Sequence, residues 1–308
     1  MVFEHFAGLI LFLMSLPGVL INFYVFYKLS RKSGQFDAFQ KLCISKTIPN
    51  MIVCSTFLFW STPLCILDPA YGSIPRGLNA TLGQIAGFGA YIFGPLMQVG
   101  LAINRFYVLY LPMRSMHVSR IPITNIAILL ASIIALIFTF IGLPNTCGFV
   151  FDPVELSWRP EGFECAERLA QLILLSVFGL SITSNSFNFA TFLKLLFHQV
   201  IGISSAEEKL RRRKRVLMYI QSVMQDSLHV FDMINANFTY TLNDAVWFKF
   251  LTLSVSFLFI HAMDGFVMFI FHTEIHPSWF SILKFNKKAV TIVPQRSKPS
   301  TIQTSSNY

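Results

Sequence analysis

Seven long apolar stretches, nearly free of charged residues, constrain this chain more than any other feature of its sequence. A helix needs about 20 apolar residues to cross the hydrocarbon core of a bilayer. Hydrophobic residues make up 54% of the chain and charged residues 13%, whereas a soluble domain carries about 25% charged residues. We therefore predict an all-α membrane protein, a seven-transmembrane helix bundle, with helices at residues 6–27, 47–67, 78–103, 121–143, 169–193, 216–237 and 250–271.

The distribution of Lys and Arg predicts the orientation of this bundle, because basic residues are retained on the cytoplasmic side. With the N-terminus outside, only Arg76, Arg159, Arg168 and Lys249 of the 24 basic residues fall on the outer side. The others, including Lys46 in the first inner loop, fall on the cytoplasmic side. We predict a multi-pass plasma-membrane protein with its C-terminus in the cytoplasm. The net charge of +9 then reflects topology and anionic membrane lipid, not binding of nucleic acid.

The end of the chain is predicted to be a cytoplasmic tail. The helices occupy residues 1–272, and the tail occupies residues 273–308. Within the tail, apolar residues alternate with lysines over residues 278–288. This pattern favours a short amphipathic helix lying on the inner leaflet.

Cysteines and glycosylation patterns are placed as this topology requires. Cys147 and Cys165 share the second outer loop, where an oxidising compartment favours a disulfide between them. Asn79 and Asn237 each begin an acceptor triplet for N-glycosylation and lie at outer helix ends. Chance is the competing interpretation of both triplets, since the pattern is common.

Two segments resemble rhodopsin-like G-protein-coupled receptors. The first helix contains Gly18-Val19-Leu20-Ile21-Asn22, which is similar to the helix-one Asn segment of those receptors. The third helix ends in Asn104-Arg105-Phe106, which resembles their Asp-Arg-Tyr signature with Asn replacing Asp and Phe replacing Tyr.

A closer resemblance, over nearly the whole chain, is to the nematode chemoreceptors called serpentine receptor class X. Its most specific part runs from Arg212-Arg213-Lys214-Arg215 through Ile220-Gln221-Ser222-Val223-Met224-Gln225-Asp226-Ser227 to Trp247 and His261-Ala262-Met263-Asp264-Gly265. The resemblance implies a sensory receptor of chemosensory neurons, sited in their cilia, that binds a small molecule and signals through a heterotrimeric G protein.

The chain departs from typical rhodopsin-like receptors in three places, so the activation mechanism of those receptors is not assumed for it. The sixth helix has no Pro between residues 216 and 237. The seventh has Asp264-Gly265-Phe266-Val267-Met268 where those receptors have Asn-Pro-x-x-Tyr. No Cys stands at the outer start of the third helix to bridge to the second outer loop.

Arg105 is the first candidate for a functional switch. We predict a latch in which Arg105 contacts polar groups at the inner end of the sixth helix, then turns toward the G protein. Asn104 cannot form the ion pair that an Asp would form with Arg105, so the resting contact is expected to be looser. The structural alternative is a basic residue that merely reaches the membrane interface.

The sixth helix carries a polar stripe that must face the bundle interior, because a central Asp facing lipid costs roughly 2.5–3.5 kcal/mol. Spacings of three or four residues put the stripe on one face, with Asp226 lying off it. The seventh helix adds His261 and Asp264, and the first adds Asn22. Two interpretations of these polar side chains stay open. They join helices to one another, or, in the case of Asp232 and Asn235, they contact the ligand. The stripe consists of Gln221, Gln225, His229, Asp232 and Asn235.

No cofactor is expected in this network, although water or a sodium ion is an alternative member of it. The spacing of His229, Asp232, His261 and Asp264 matches no metal motif such as His-Glu-x-x-His, so no metal site is predicted. The chain also lacks a Gly-rich phosphate loop and a nucleophile elbow, and we do not expect an enzyme.

The basic segment before the sixth helix has two interpretations. One is a stop signal for translocation, which fixes the sixth helix in the membrane. The other is a cytoplasmic extension of that helix that meets the G protein. The residues concerned are Arg212, Arg213 and Arg215. The two roles are compatible.

We therefore predict a G-protein-coupled chemosensory receptor for a small external molecule. Two rivals remain. A solute transporter often has Gly/Pro-interrupted helices at matching positions of two repeats. The sequence has no counterpart repeat, although the third helix is interrupted by Gly83, Gly87, Gly89, Gly94 and Pro95. The other rival is a receptor-like membrane protein that does not signal.

Overall fold

Seven long helices make up most of the computed structural model, which describes residues 2–31, 38–67, 73–110, 123–143, 147–200, 206–272 and 275–276. The described residues up to Ile275 belong to one compact unit. The predicted amphipathic helix at 278–288 lies outside the described residues. The helices are α1 (Val2–Ser30), α2 (Ala38–Leu67), α3 (Arg76–Tyr110), α4 (Ile123–Ile141), α5 (Glu164–Val200), α6 (Ala206–Asn237) and α7 (Val246–Phe271).

Six of these seven described helices are long and apolar enough to cross a membrane. The exception is α6, which begins with a charged segment and carries the polar stripe. In α4, by contrast, only 11% of the apolar window is buried inside the bundle. Its exposed Leu and Ile side chains fit a lipid-facing surface, since lipid is the solvent for such a helix.

Most of the helices extend further than their apolar stretches, and two of these extensions change where a basic residue lies. The second was predicted to begin at residue 47, but α2 begins at Ala38. Lys46, predicted in the first inner loop, therefore lies within α2 and is fully buried. Similarly, α3 continues to Tyr110, so Arg105 lies inside a helix and is buried. Hydropathy underestimates both helices because polar and basic residues that pack inward lower the local average.

A β-hairpin that the sequence analysis did not predict lies between α4 and α5. Strands β1 (Phe149–Asp152) and β2 (Ser157–Pro160) pair antiparallel, with Phe151 opposite Trp158. At the turn, the Asp152 carboxylate accepts a hydrogen bond from the Val154 N–H. Leu156 has a positive φ of 53°, and its carbonyl accepts a hydrogen bond from Ser254 of α7. The hairpin thus docks against α7.

Aromatic side chains of the hairpin fill one end of the bundle, here named the hairpin end. The Phe149 ring packs 4.8 Å from Phe88 of α3 and 6.3 Å from Trp158. Trp158 contacts Phe57 of α2 at 6.3 Å, and Phe151 is fully buried. Apolar burial of this size anchors the hairpin, because each large buried side chain contributes about 1.5–3 kcal/mol.

The three helices that surround the hairpin each contain a π-helical segment. These segments are Phe57–Ser61 in α2, Gln84–Ala90 in α3 and Phe250–Val255 in α7. A π segment inserts an extra residue into a helical turn and re-aims the side chains beyond it. Within α3, Gly83 and Gly87 lie against Phe149, so the glycine run makes room for the hairpin. α3 continues through Pro95, in contrast to the broken helix of the transporter alternative.

Polar and covalent contacts hold the hairpin in place. Cys147 and Cys165 form a disulfide that joins the hairpin to the start of α5. Asn79 of α3 binds both backbone groups of Phe151, donating to its carbonyl at 2.9 Å and accepting from its N–H at 3.0 Å. Arg76 donates two hydrogen bonds of 2.7 Å to Glu161 after the second strand. The hairpin is therefore fixed at both ends.

Candidate functional site

Buried polar side chains form a continuous series along the bundle axis, from the hairpin end toward Arg105. All the predicted members of the α6 stripe are buried. They do not share one set of partners. Asp232 and His229 face α3 and α7, whereas Asp226, which the sequence placed off the stripe, contacts α5. The series contains three groups of contacts, described in turn.

The first group lies below the hairpin and is named the acceptor cluster: Tyr91, His229, Asp232, Ser256 and His261. Tyr91 donates a hydrogen bond to one Asp232 carboxylate oxygen at 3.0 Å, and Ser256 donates to the other at 2.9 Å. Asn235 donates to the Ser256 hydroxyl at 3.0 Å. Asp232 is thereby fixed between α3 and α7 by neutral hydroxyl groups.

The hydrogen bonds of the two histidines determine which ring nitrogen carries the proton. His229 Nδ1 lies 3.0 Å from the Gln225 carbonyl oxygen, which only accepts, so Nδ1 donates. His261 Nδ1 lies 2.8 Å from Asn50 Oδ1 and donates for the same reason. In the neutral rings, each Nε2 is then an acceptor. Neither Nε2 has a hydrogen-bond partner within the described part of the chain.

The rings that carry these two free acceptors lie close together. The His229 and His261 rings are 6.4 Å apart between centroids. Phe257 packs 5.1 Å from His261 and 5.3 Å from Tyr91, and it also contacts Phe57 beneath the hairpin. Buried polar atoms without partners are uncommon in proteins and mark the places where water or a ligand binds.

The second group, named the Lys46 cluster, consists of Lys46, Asn50, Gln98 and Asp264. Lys46 Nζ lies 2.8 Å from Asp264 Oδ1, and both side chains are fully buried. The same ammonium donates to Gln98 Oε1 at 2.7 Å. Asn50 donates to Asp264 Oδ2 at 2.7 Å. A hydrogen-bonded ion pair thus joins α2, α3 and α7.

A sodium ion does not fit the Lys46 cluster as it stands. A hard cation binds oxygen lone pairs, whereas both Asp264 oxygens accept hydrogen bonds from N–H donors. Gln98 Oε1, the other oxygen nearby, accepts from the Lys46 ammonium. The position that a cation would take is occupied by a positive charge of the chain itself.

Asn22, assigned to the polar network from sequence, joins α1 to α7. Its Nδ2 donates to the His261 carbonyl at 3.2 Å and to the Gly18 carbonyl at 2.9 Å. A Cβ on Gly265 would lie 2.5 Å from the Asn22 side chain. Gly265 in the His261-to-Gly265 motif is therefore required for close approach of the two helices.

The third group, the Asp226 cluster, joins α6 to α5 and α3. Ser184 and Asn188 of α5 donate to Asp226 Oδ2 at 2.9 and 2.5 Å. Ser222, one turn before Asp226, accepts from Gln98 Nε2 at 3.0 Å. Gln98 therefore links the Asp226 cluster to the Lys46 cluster. Gln221 and Gln225 are also buried, with side-chain amide atoms that lack partners within the described residues.

Arg105 lies two turns beyond Gln98 on α3 and makes no hydrogen bond to α6 among the described side chains. Its three guanidinium nitrogens are buried and have no hydrogen-bond partner among the described residues. The guanidinium instead lies 5.4 Å from the ring centre of Phe39 on α2. A cation over an aromatic face is stabilised by about 0.5–2 kcal/mol, which leaves the hydrogen-bonding capacity of Arg105 unused.

The residues around Arg105 have separate surroundings. Phe106 stacks on Tyr110 with a centroid distance of 4.3 Å and contacts Phe187 of α5. Asn104 is half-buried. Arg212, Arg213 and Arg215 belong to the first turns of α6, as the helical-extension interpretation requires, but their side chains lie outside the described part.

The structure opposes glycosylation at Asn79. Its side chain is 2% exposed and also accepts a hydrogen bond from Trp60 at 2.9 Å. A glycan on this nitrogen would require Asn79 to release the hairpin. Asn237 is half-buried, donates to the Met233 carbonyl, and remains a predicted acceptor.

Sequence reasoning missed most of the partners that complete these clusters. A usable signal was present, because a lone polar residue within an apolar span needs an inward partner. Asn50 and Gln98 are such residues, and Lys46 lies one turn before Asn50. The missed residues are Lys46, Asn50, Tyr91, Gln98, Ser184, Asn188, Ser222 and Ser256.

A groove of about 880 Å³ between α5 and α6 offers a different kind of surface. Its walls are mainly apolar, including Leu175, Phe178 and Phe189, and those side chains are exposed on the side of the bundle. Such a surface suits acyl chains better than a polar molecule.

Comparison with known proteins agrees with this architecture. The crystal structure of squid rhodopsin matches with a TM-score of 0.68 and 12% identity, over 93% of this chain and 84% of that chain. At that identity the likeness concerns the fold, which is that of a rhodopsin-like seven-transmembrane receptor. No curated protein matches the sequence.

The family is given by a sequence model. The model described as serpentine type 7TM GPCR chemoreceptor Srx matches residues 12–272. The chain belongs to this family. It is a multi-pass membrane protein and a G-protein-coupled chemosensory receptor, as the sequence resemblance predicted.

Proposed function

We propose that the ligand is a small molecule bearing hydrogen-bond donors and that it binds at the acceptor cluster. The observation that carries this proposal is the pair of buried, unpartnered Nε2 acceptors on His229 and His261. The Asp232 carboxylate, about one turn from His229 on α6, adds negative charge. A site that presents acceptors rejects molecules without donors, because its buried polar groups would stay unpaired.

The signal is proposed to pass through α6 to Arg105. Asp232, His229 and Asp226 all lie on α6 and contact α3, α5 or α7, so a ligand that re-pairs these groups shifts the position of the helix. Displacement of its first turns would open the surroundings of Arg105, whose free N–H groups then bind carbonyl oxygens of a heterotrimeric G protein. Asn104 and Phe106 are the neighbours of Arg105 on α3, and the Arg212-to-Arg215 segment is proposed to join the contact with the G protein.

This mechanism requires the hairpin end to face outside, which agrees with the basic residues near the opposite end. A receptor for external cues in sensory-neuron cilia is the setting that the family resemblance favours. Surface labelling of N-terminal and C-terminal epitope tags on unpermeabilised cells tests the orientation. Only the N-terminal tag should be stained.

A cell-based G-protein assay tests the site and the switch together. The probes are small amines and alcohols, each paired with an analogue whose N–H or O–H groups are methylated. Active probes should belong to the donor-bearing set. Asp232→Asn should raise their half-maximal concentration about 10–100-fold, since a hydrogen bond to a charged group contributes about 1.5–3 kcal/mol.

Arg105→Ala should abolish signalling at equal surface expression, whereas the control Arg31→Ala, an exposed residue after α1, should leave it unchanged. Undiminished signalling by Arg105→Ala would reject the switch. Equal activity of probes and their methylated analogues would reject the acceptor site.

A further inference from the structure

Lys46 is unusual because a fully buried lysine lies in the interior of a membrane bundle. Ionisable residues in such positions are expensive and need specific partners. Lys46 has two, the Asp264 carboxylate at 2.8 Å and Gln98 Oε1 at 2.7 Å. The two oxygens come from α7 and α3, and Lys46 comes from α2. Its ammonium therefore occupies the point at which these helices converge.

The charge balance of the cluster is complete without any external ion. Asp264 carries one negative charge and Lys46 one positive charge, and both are fully buried. Asn50 satisfies the second carboxylate oxygen, and its own Oδ1 accepts from His261. Each oxygen that could bind a metal cation already accepts a hydrogen bond within the chain.

We propose that Lys46 is a built-in counter-ion, which takes the place of a bound alkali cation and makes the receptor insensitive to sodium. Removal of its charge should convert the cluster into a sodium site. In Lys46→Gln the side-chain amide supplies an oxygen beside those of Asp264, Gln98 and Asn50. That set of a carboxylate and amide carbonyls suits a hard monovalent cation.

The test measures the unfolding temperature of purified full-length receptor in lipid nanodiscs, in sodium chloride and in choline chloride of equal ionic strength. The variants are Lys46→Gln and the doubly neutral Lys46→Gln/Asp264→Asn. Lys41→Gln is the matched control, because Lys41 lies on the same helix but binds Asn125 at the exposed side of the bundle.

Wild type, Lys41→Gln and the double variant should show the same small difference between the two salts. Lys46→Gln should unfold at a lower temperature than wild type in choline chloride. Sodium should raise its unfolding temperature by about 2 °C more than that of the double variant, with a saturable dependence on concentration.

Two results would overturn the proposal. One is a folded Lys46→Gln protein that responds to sodium no more than the double variant does. The other is a saturable sodium response in wild type that the double variant lacks. The second result tests the proposal even if Lys46→Gln does not fold. It compares wild type with the double variant, and the Lys46 cluster has no net charge in either protein.

Discussion

Gly83→Ala should destabilise this receptor by displacing the hairpin from α3. A Cβ on Gly83 would overlap the Phe149 carbonyl oxygen and would lie 2.7 Å from its carbonyl carbon and 2.9 Å from the Trp158 ring. Ordinary carbon contacts are about 3.5–4.0 Å, so the hairpin backbone must withdraw by about 1 Å or more. That shift weakens the two hydrogen bonds between Asn79 and Phe151, which now measure 2.9 and 3.0 Å.

The magnitude follows from these contacts. Overpacking costs about 1–3 kcal/mol, and the two weakened hydrogen bonds cost about 1 kcal/mol each. Alanine recovers up to about 1 kcal/mol of helix propensity relative to glycine. The net loss of about 2–4 kcal/mol should lower the unfolding temperature by roughly 5–15 °C.

Two other glycines supply graded comparisons. A Cβ on Gly87 would lie 2.5 Å from Cδ1 of the Phe149 side chain, which can rotate, so Gly87→Ala should be milder than Gly83→Ala. Gly179 on α5 has nothing within 4 Å of its Cβ position. Gly179→Ala should therefore be neutral or raise the unfolding temperature by about 1–3 °C, through helix propensity alone.

The assay is unfolding monitored by a thiol-reactive fluorophore. The three free cysteines, Cys43, Cys54 and Cys65, are all buried in the folded receptor and become reactive on unfolding. A Gly83→Ala protein that unfolds within 1 °C of wild type would refute the close docking of the hairpin, a threshold well below the shift worked out above. An equal loss in Gly179→Ala would show that glycine content, not contact, is responsible.

Two further predictions concern the hairpin end. Cys165→Ser should destabilise the receptor by about 3 kcal/mol, because the disulfide closes a loop with a sequence separation of 18. Cys147→Ser and the double variant should unfold at the same temperature as Cys165→Ser. A double variant whose loss of stability is the sum of the two single losses would contradict this prediction. Thr81→Ala removes the Asn79 acceptor triplet without touching Asn79 and should leave the electrophoretic mobility of the expressed receptor unchanged. Thr239→Ala removes the Asn237 triplet and is the matched comparison, in which a glycan should be lost. A loss of glycan in Thr81→Ala would mean that Asn79 is modified after all.

Local sequence information was sufficient for much of the fold. Hydropathy located seven helices because the cost of placing polar groups in lipid acts on each segment separately. Helical periodicity likewise predicted that Asp232 and its neighbours on α6 face inward. The hairpin was missed because β1 and β2 span four residues each, and their stability comes from contacts with Phe57, Phe88 and Asn79 on other elements.

The beginning of α2 and the end of α3 show where prediction from local sequence fails. Lys46 and Arg105 were assigned to the cytoplasmic boundary because a basic residue usually marks it. That rule holds for a charge without a partner inside the membrane. Lys46 has Asp264, and Arg105 has the face of Phe39.

By itself, the sequence determined the class of protein, the number of spanning helices and the family, since each depends on properties carried by contiguous residues. Only the tertiary structure decided which polar groups meet. Lys46 and Asp264 are separated by 218 positions, and Asn50 and His261 by 211. Buried charged side chains are stabilised by partners that are close in space. The positions of those partners follow from how the helices pack, not from the sequence of any single segment.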